Sequence, residues 1–409
     1  MSKFDFSFEI TTKSGDLARA GVIKTPHGEI KTPAFITVGT HAEVKFMSPN
    51  DLRGNGAQAM LSNGYHLLRR AVMIDASGGL AEFNGWRGPT MTDSGGFQVM
   101  SLGSGLGKIV SMDKKDEMIA ERLTRKDERL AIVDDEGVEF RDPFTYKIIK
   151  FTPETSIMTQ HKIGADVMMA FDELTSISDS YEYNIEALER TRLWAERSLR
   201  EHARQTNLRA DKPYQALYGV LQGGHWQDLR EKAARDLATM SVENQEFDGF
   251  GLGGAFEKEN LGETLAWMTR ILPENKPRHL LGLSKPDDIF VGVENGADTF
   301  DCVAPTREAR HGRIYTLDGD INLRRAEFAN DDRSLDPECD CATCRDGRSR
   351  AELRLGLKSH DREERARTFN HLSIHNVRFI IRLTEEIRKS IEQGNFGEFR
   401  DFWLERYYG

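Results

Sequence analysis

Hydrophobic residues cluster in short runs along the first three quarters of the chain, and each run ends in glycine or a polar residue. Eight such runs occur, with the sequences "TPAFITV", "AQAMLSN", "TMTDSGG", "DVMMAFDE", "YQALYGVLQGG", "FDGFGLGG", "RHLLGLS" and "DTFDCVAPT". Short apolar runs that end in turn residues are typical of buried strands in parallel sheets. The pattern therefore predicts eight strands.

Amphipathic segments separate several of these runs. They predict helices at residues 183–206, 226–240, 259–272 and 286–295. The last of them begins with a proline at residue 286 and two aspartates, as the first turn of a helix commonly does. Strands that alternate with helices indicate a parallel α/β sheet, and eight units favour a closed (β/α)8 TIM barrel. A doubly wound open sheet is the alternative.

A barrel of this kind carries its functional residues at the C-terminal ends of the strands. The residues that end the apolar runs are Asn63, Asp93, Asp172, Gln222, the Gly253-Gly254 pair and Asp301. Any one of them alone is more often a turn residue. Several together, with a glycine pair that lets a ligand approach the backbone, indicate one site built from different strands.

Three of the four cysteines, Cys339, Cys341 and Cys344, are close together near the C-terminus. Such close neighbours bridge poorly as disulfides, whereas three thiolates from one loop suit zinc, which then takes a fourth nitrogen or sulfur ligand. A helical pattern downstream carries His371 and His375 one turn apart, and either can complete a Cys3His site. Because protein atoms fill all four positions, this zinc is predicted to be structural.

Composition narrows the class of protein. The 409 residues carry a net charge of −10, which argues against nucleic-acid binding over the whole surface. The first residues do not resemble a signal peptide, and no apolar run reaches the roughly 18 residues of a membrane span. With few cysteines, the sequence is expected to be a cytoplasmic enzyme with no membrane partner.

The charge pattern also marks an insertion in the chain. A highly charged stretch at residues 104–140, with an amphipathic helix near 115–130, interrupts the repeat as an insertion after the third strand. We predict a catalytic barrel at residues 1–325, and a zinc-binding subdomain with C-terminal helices at residues 326–409. The aromatic tail "FGEFRDFWLERYYG" is expected to pack on the body or on a partner subunit.

The ordered motifs resemble one family over nearly the whole chain. They include "TPAFITVGT", "GNGAQAMLSNGYHL", "TDSGGFQVMSL", "DTFDCVAPTREARHG" and the cysteine cluster, and together they are similar to the tRNA-guanine transglycosylases. The resemblance implies a TIM barrel with an inserted C-terminal zinc-binding subdomain, usually as a homodimer. It also implies exchange of guanine for a 7-deazaguanine base at the wobble position of tRNAs with a G-U-N anticodon, without cutting the RNA chain.

The resemblance assigns roles to individual residues. Asp301 matches the nucleophile, and Asp93 matches the general acid/base. The positions that match or adjoin the base-binding residues are Asn63, Ser94, Phe97, Asp172, Gln222, Gly253 and Gly254. The RNA-contacting positions are Arg307 and Arg310, and the resemblance selects His375 as the zinc ligand beside Cys339, Cys341 and Cys344.

Some segments depart from the family pattern near the part of the pocket that grips the 7-substituent. They are "GGAFEKENLGE", "GLSK" and Leu174 after "AFDE". The expected incoming base is prequeuine, 7-aminomethyl-7-deazaguanine, because it is the ordinary bacterial substrate; queuine is the close alternative. A DNA-directed enzyme and a non-catalytic paralogue are less favoured, the second because Asp93 and Asp301 are both present.

Overall fold

The strands of the structure follow the apolar runs of the sequence. The computed structural model describes residues 6–97, 131–141 and 147–409. In chain order its strands are β1 (Ser7–Ser14), β2 (Ala18–Thr25), β3 (Gly28–Thr32), β4 (Ala34–Val38), β5 (Met60–Asn63), β6 (Thr90–Asp93), β7 (Ala131–Asp134), β8 (Gly137–Arg141), β9 (Ile148–Phe151), β10 (Val167–Met169), β11 (Ala216–Leu221), β12 (Ser241–Val242), β13 (Gln245–Glu246), β14 (Gly249–Leu252), β15 (Arg278–Leu280), β16 (Thr299–Cys302), β17 (Arg313–Ile314) and β18 (Ile321–Asn322).

A closed parallel barrel forms the centre of the molecule. Its neighbouring strands are β4, β5, β6, β10, β11, β14, β15 and β16, and β16 pairs with β4 to close it. Each strand lies within one of the eight predicted runs, because a strand covered by helices on the outside and packed on the inside is apolar on both faces. The predicted (β/α)8 barrel is therefore confirmed, and the open sheet is excluded.

The predicted helices are also present. In chain order the helices are α1 (Pro49–Gly54), α2 (Gly64–Leu67), α3 (Ala71–Ala76), α4 (Leu80–Phe83), α5 (Pro153–Ile163), α6 (Tyr181–Leu208), α7 (Gln227–Ala238), α8 (Leu261–Thr269), α9 (Pro286–Glu294), α10 (Ala304–His311), α11 (Ala342–Arg345), α12 (Arg350–Lys358), α13 (Arg362–Gln393) and α14 (Phe396–Tyr408). The four predicted segments correspond to α6, α7, α8 and α9. Among the described residues, no helix has the length and apolar character needed to span a membrane.

A three-stranded antiparallel sheet, β1–β2–β3, covers the N-terminal ends of the barrel strands. Arg19 on β2 forms a buried bidentate pair with Asp298, which directly precedes β16; the two N···O distances are 2.9 and 2.7 Å. His27 similarly contacts Asp166, directly before β10, at 2.7 Å. These contacts fix the sheet to the end of the barrel opposite the predicted site, where charge-assisted pairs add stability.

A second small sheet, β7–β8–β9, is formed by the part of the chain that connects the third and fourth barrel strands, β6 and β10. Its buried rings Phe140 and Phe151 join a cluster with Phe171 and Trp194 of the barrel layer. Residues 131–140 of the predicted insertion at 104–140 form part of this sheet, and the helix predicted near 115–130 lies outside the described residues. The sheet therefore anchors the C-terminal end of the insertion to the barrel.

The C-terminal helices pack on the barrel. Buried apolar residues of α13 belong to the same hydrophobic cluster as Phe300 in β16. In α14, Trp403 stacks on Tyr407 with ring centroids 5.0 Å apart and lies 5.6 Å from Phe290 of α9. The aromatic tail thus packs on the body of the same chain. The division into units at residues 1–325 and 326–409 stays a prediction.

Candidate active site and metal centre

The polar residues predicted from the strand ends lie at the C-terminal mouth of the barrel. In barrel order they are Asn63, Asp93, Asp172, Gln222, Gly253-Gly254 and Asp301. Asn63 and Asp93 are the last residues of β5 and β6 and are paired in register. Burial is the main cause that raises the pKa of Asp93, and the charge of Asp301 adds to the rise, so carboxyl groups from the third and eighth strands interact across the mouth.

Asp93 is held by three uncharged donors. Its Oδ1 accepts hydrogen bonds from the backbone N–H groups of Gly64 and Gly95 at 3.0 and 3.1 Å, and its Oδ2 accepts from Asn63 Nδ2 at 2.7 Å. Burial raises the pKa of Asp93 to about 7, although these hydrogen bonds act in the opposite direction. The group therefore changes protonation state near neutral pH, as a general acid/base requires.

Asp172 lies in a second hydrogen-bonded group. Gln222 Nε2 donates to its Oδ2 at 2.7 Å, and Ser94 Oγ donates to its Oδ1 at 3.2 Å. Burial raises the pKa of Asp172 to about 6. The Oε1 atom of Gln222 is buried and has no hydrogen-bond partner among the described residues. A buried acceptor of this kind costs free energy unless a ligand donates to it, so this group is suited to bind a polar molecule.

Among the described residues, the contacts that fix Asp301 involve one of its two carboxyl oxygens. His279 Nε2 and the backbone N–H of Gly282 each lie 3.1 Å from Oδ1. Within the described residues, Oδ2 has no hydrogen-bond partner. His279 is fully buried in β15, next to β16, whereas Asp301 is slightly exposed at 9%. The carboxylate is therefore oriented by neighbours and keeps one oxygen available for chemistry.

A buried arginine holds the loops that follow β11 and β14. Arg230 of α7 is fully buried and donates Nε to Gly224 O at 2.7 Å and Nη1 to Gly253 O at 2.5 Å. Gly254 has a φ of +111°, and a Cβ at this position would lie 2.3 Å from Arg230 Nη2. Only glycine fits there, because any side chain would meet the guanidinium. Burial lowers the pKa of Arg230 to about 9.

Three further predicted residues lie on the segments that directly follow β6 and β16, the strands that carry Asp93 and Asp301. Phe97, four positions after Asp93, is 36% exposed. Arg307 is exposed on α10, and Arg310 on the same helix donates Nη1 to Thr306 O at 2.8 Å. These positions are accessible to a large ligand at the mouth. Their contacts with a purine or with RNA stay predictions.

The three clustered cysteines and His375 form a group that can hold a metal ion. Their ligand atoms all lie within 4.8 Å of one another. His375 Nδ1 is 3.6 Å from Cys341 Sγ and 3.4 Å from Cys344 Sγ. Ligand atoms on a tetrahedral zinc ion stand about 3.5 Å apart when the metal–ligand bonds are about 2.0–2.3 Å long. Both the donor types and their spacing therefore fit a tetrahedral Cys3His centre.

The orientation of His375 supports this assignment. Its Nε2 lies 2.7 Å from Tyr315 O, and a carbonyl can only accept, so Nε2 carries the proton and Nδ1 faces the thiols. His371, the alternative from the sequence, lies outside the cluster formed by the described residues. The structure thus places His375 with the three cysteines.

The next residue on the helix connects the metal centre to the active site. Asn376 donates Nδ2 to Pro305 O at 3.1 Å and to Arg313 O at 2.9 Å. These carbonyls stand at the start of α10 and just after its end, and α10 follows Asp301 closely in the chain. The helix that carries His375 therefore also fixes the segment that follows the candidate nucleophile.

Reasoning from the sequence did not identify His279 or Arg230. Each had a signal in the sequence. His279 directly precedes the apolar pair Leu280-Leu281, and Arg230 shares the buried face of its helix with Leu229 and Ala233. A polar residue on a buried face requires a partner. The identity of that partner depends on strand register and loop position, which become visible only in three dimensions.

Comparisons with known proteins agree with this geometry. A family model described as queuine tRNA-ribosyltransferase matches residues 14–409. The queuine tRNA-ribosyltransferase of Desulforamulus reducens is 40% identical over 392 residues, covering 95% of this chain and 94% of the relative. That of Pelotomaculum thermopropionicum is 40% identical, with 98% and 99% covered, and that of Halothermothrix orenii is 39% identical, with 98% and 96% covered. The likeness thus includes both the barrel and the metal cluster.

Metal analysis of single variants tests the Cys3His centre. The wild-type chain is expected to contain about one zinc ion, and His375→Ala and Cys341→Ser are expected to lose it together with thermal stability. His371→Ala is the matched control, one helical turn away, and should retain the metal. Zinc that survives His375→Ala but is lost from His371→Ala would contradict the assignment.

Proposed function

The chain belongs to the queuine tRNA-ribosyltransferase family, and we propose that it exchanges guanine for a 7-deazaguanine base at the wobble position of tRNAs with a G-U-N anticodon. The incoming base we propose is prequeuine, which makes the reaction a step of queuosine biosynthesis. The observation that carries the proposal is the pair of carboxyl groups, Asp93 and Asp301, at one barrel mouth in different environments.

In the first step, Asp301 attacks C1′ of the target ribose. The bond between C1′ and N9 of guanine breaks and its electron pair leaves with the base, which takes a proton at N9 from protonated Asp93. An ester forms at the same time between Asp301 and the sugar. The transition state resembles an oxocarbenium ion, which a nearby carboxylate stabilises, as in glycoside hydrolysis. The hydrogen bonds to Oδ1 of Asp301 hold the carboxylate in place for this attack.

In the second step, N9 of the incoming base attacks C1′ from the face that guanine left. The bond between C1′ and Asp301 breaks, and its electron pair returns to the carboxylate. Asp93 accepts the N9 proton, and its pKa of about 7 lets it bind and release protons near neutral pH. The two inversions retain the configuration at C1′, and the ester conserves the bond energy so that no ATP is needed.

The group around Asp172 recognises the purine edge. An ionised Asp172 accepts from N1–H and from the exocyclic amine, a charge-assisted pair that a guanine-like edge provides. Gln222 uses one amide N–H for Asp172 and has a second for the base carbonyl, which the Gly254 N–H also serves. Arg230 holds the loop that carries Gly254, so the pocket is formed before the base binds.

RNA reaches this pocket through an unstacked nucleotide. An anticodon loop presents single-stranded bases that can be turned out of the stack at modest cost. We propose that Phe97 covers the purine and that Arg307 and Arg310 contact the phosphates on either side. We also propose that the protein assembles as a homodimer and acts on tRNA in the cytoplasm.

The metal has a structural role in this proposal. The three cysteines and His375 would hold zinc, which would fix the loop of residues 339–344 to helix α13 and take no part in the exchange. Through Asn376 the same helix supports α10, which carries both proposed RNA-binding arginines. Loss of zinc is therefore expected to weaken tRNA binding before it alters the barrel chemistry.

Release of labelled guanine tests the reaction and the incoming base together. With tRNA that carries labelled guanine at the wobble position, prequeuine is expected to release label faster than queuine at equal concentration. Asp301→Asn should release none, because the amide is not a nucleophile. Faster release by queuine would correct the incoming base, and release by Asp301→Asn would refute the nucleophile.

The pH dependence of base use tests the role of Asp93. The ionised form must accept a proton, so kcat/KM for the incoming base should rise with pH and level off above the pKa of about 7. Asn63→Ala removes a hydrogen bond that stabilises ionised Asp93. The pKa of Asp93 should therefore rise, and the increase in kcat/KM should occur at higher pH. A profile that is flat from about pH 5 to 8 would contradict the assignment of Asp93 as base.

A further inference from the structure

A histidine bridges two side chains on the strand that carries Asp301. Thr299 and Asp301 are two residues apart in β16, so their side chains project from the same face of the strand. His279 of β15 is the register partner of Thr299. Its Nδ1 lies 2.9 Å from Thr299 Oγ1, and its Nε2 lies 3.1 Å from Asp301 Oδ1.

We propose that His279 is a positioning residue for the nucleophile, holding Oδ1 of Asp301 so that Oδ2 is the atom that attacks C1′. This inference rests on the proposed function and adds to it the identity of the attacking oxygen. The backbone N–H of Gly282 donates to the same Oδ1 at 3.1 Å. Two donors therefore converge on one oxygen and leave the other free within the described structure.

The direction of the histidine hydrogen bond follows from the chemistry of its partner. An ionised carboxylate can only accept, so Nε2 of His279 carries the donated proton. Thr299 meets the opposite nitrogen and prevents the ring from turning away. Both His279 and Thr299 are buried, at 0% and 1% exposure, so water does not replace either contact. A histidine that merely filled the core would not need a donor aimed at the candidate nucleophile.

The same hydrogen bond favours the second step of the exchange. In the ester, Oδ2 is bonded to C1′ and Oδ1 is the carbonyl oxygen, so the negative charge on the aspartate is lost. When the incoming base attacks, the Oδ2–C1′ bond breaks and its electron pair restores the carboxylate. A donor on Oδ1 binds the charged carboxylate more strongly than the neutral ester, and His279 thus assists departure of the aspartate.

Three substitutions of His279 separate positioning from packing. The amide nitrogen of glutamine reaches close to the imidazole Nε2, whereas that of asparagine reaches only the Nδ1 position, and leucine has no donor. His279→Gln is expected to keep kcat for guanine exchange within about tenfold of wild type. His279→Asn and His279→Leu should each lose about 10²-fold in kcat, with KM for base and for tRNA unchanged.

The melting temperature of each variant shows whether it is folded, and comparison is made among folded variants only. If His279→Leu alone fails to fold, the pair of glutamine and asparagine variants still decides the question. Equal activity of His279→Gln and His279→Asn, or wild-type kcat in His279→Leu, would overturn the inference.

Nitrogen-15 NMR of histidine-labelled protein gives a readout that does not depend on activity. The His279 Nε2 resonance is expected at the protonated position in wild type and should shift in Asp301→Asn. An unprotonated Nε2, or a resonance unmoved by Asp301→Asn, would overturn the inference even if the wild-type enzyme is active. A chain that exchanges no guanine but shows this NMR signature would instead refute the proposed function and leave the hydrogen bond intact.

Discussion

Three carboxyl groups share the C-terminal mouth of the barrel, and the burial of two of them is the constraint around which the rest is arranged. Burial is the largest cause that raises the pKa of both Asp93 and Asp172. Each of the three carboxyl groups is held by neighbours that are backbone N–H groups, an amide, a hydroxyl or an imidazole. Among the described residues, none is paired with lysine or arginine. A cationic partner would lower the pKa of the carboxyl group and occupy the oxygens that the proposed reaction uses.

The opposite end of the barrel shows the contrast. Asp298, three residues before Asp301, forms a buried bidentate pair with Arg19, and Asp166 contacts His27. These aspartates fix the N-terminal sheet and have no free oxygen to offer a substrate. The same residue type is thus used for stability at one end of a strand and for chemistry at the other, as barrel architecture allows.

Much of this arrangement could be predicted from the sequence. Buried parallel strands are apolar on both faces, so the eight runs located the barrel and their last residues located Asp93, Asp172 and Asp301. The N-terminal sheet was not predicted, because β1 alternates between exposed and half-buried residues and has no long apolar run. His279 and Arg230 were not predicted either, since their roles depend on contacts with strands and loops distant in sequence.

The C-terminal region depends on the same kind of long-range contact. Sequence spacing alone left two histidines as possible metal ligands. In the fold His375 lies beside the cysteines, and a hydrogen bond from its Nε2 to Tyr315 O orients the ring. Its neighbour Asn376 attaches α13 to both ends of α10. The candidate metal centre and the segment after Asp301 are therefore connected through one helix, although we propose different tasks for them.

The covalent adduct is the most direct measure of the central claim. Enzyme mixed with G-U-N tRNA is denatured during turnover and digested with protease and nuclease, and the modified peptide is sequenced by mass spectrometry. The account predicts a ribose-linked peptide with the added mass on Asp301. An adduct on Asp93, or continued guanine exchange with no adduct on any aspartate, would contradict it.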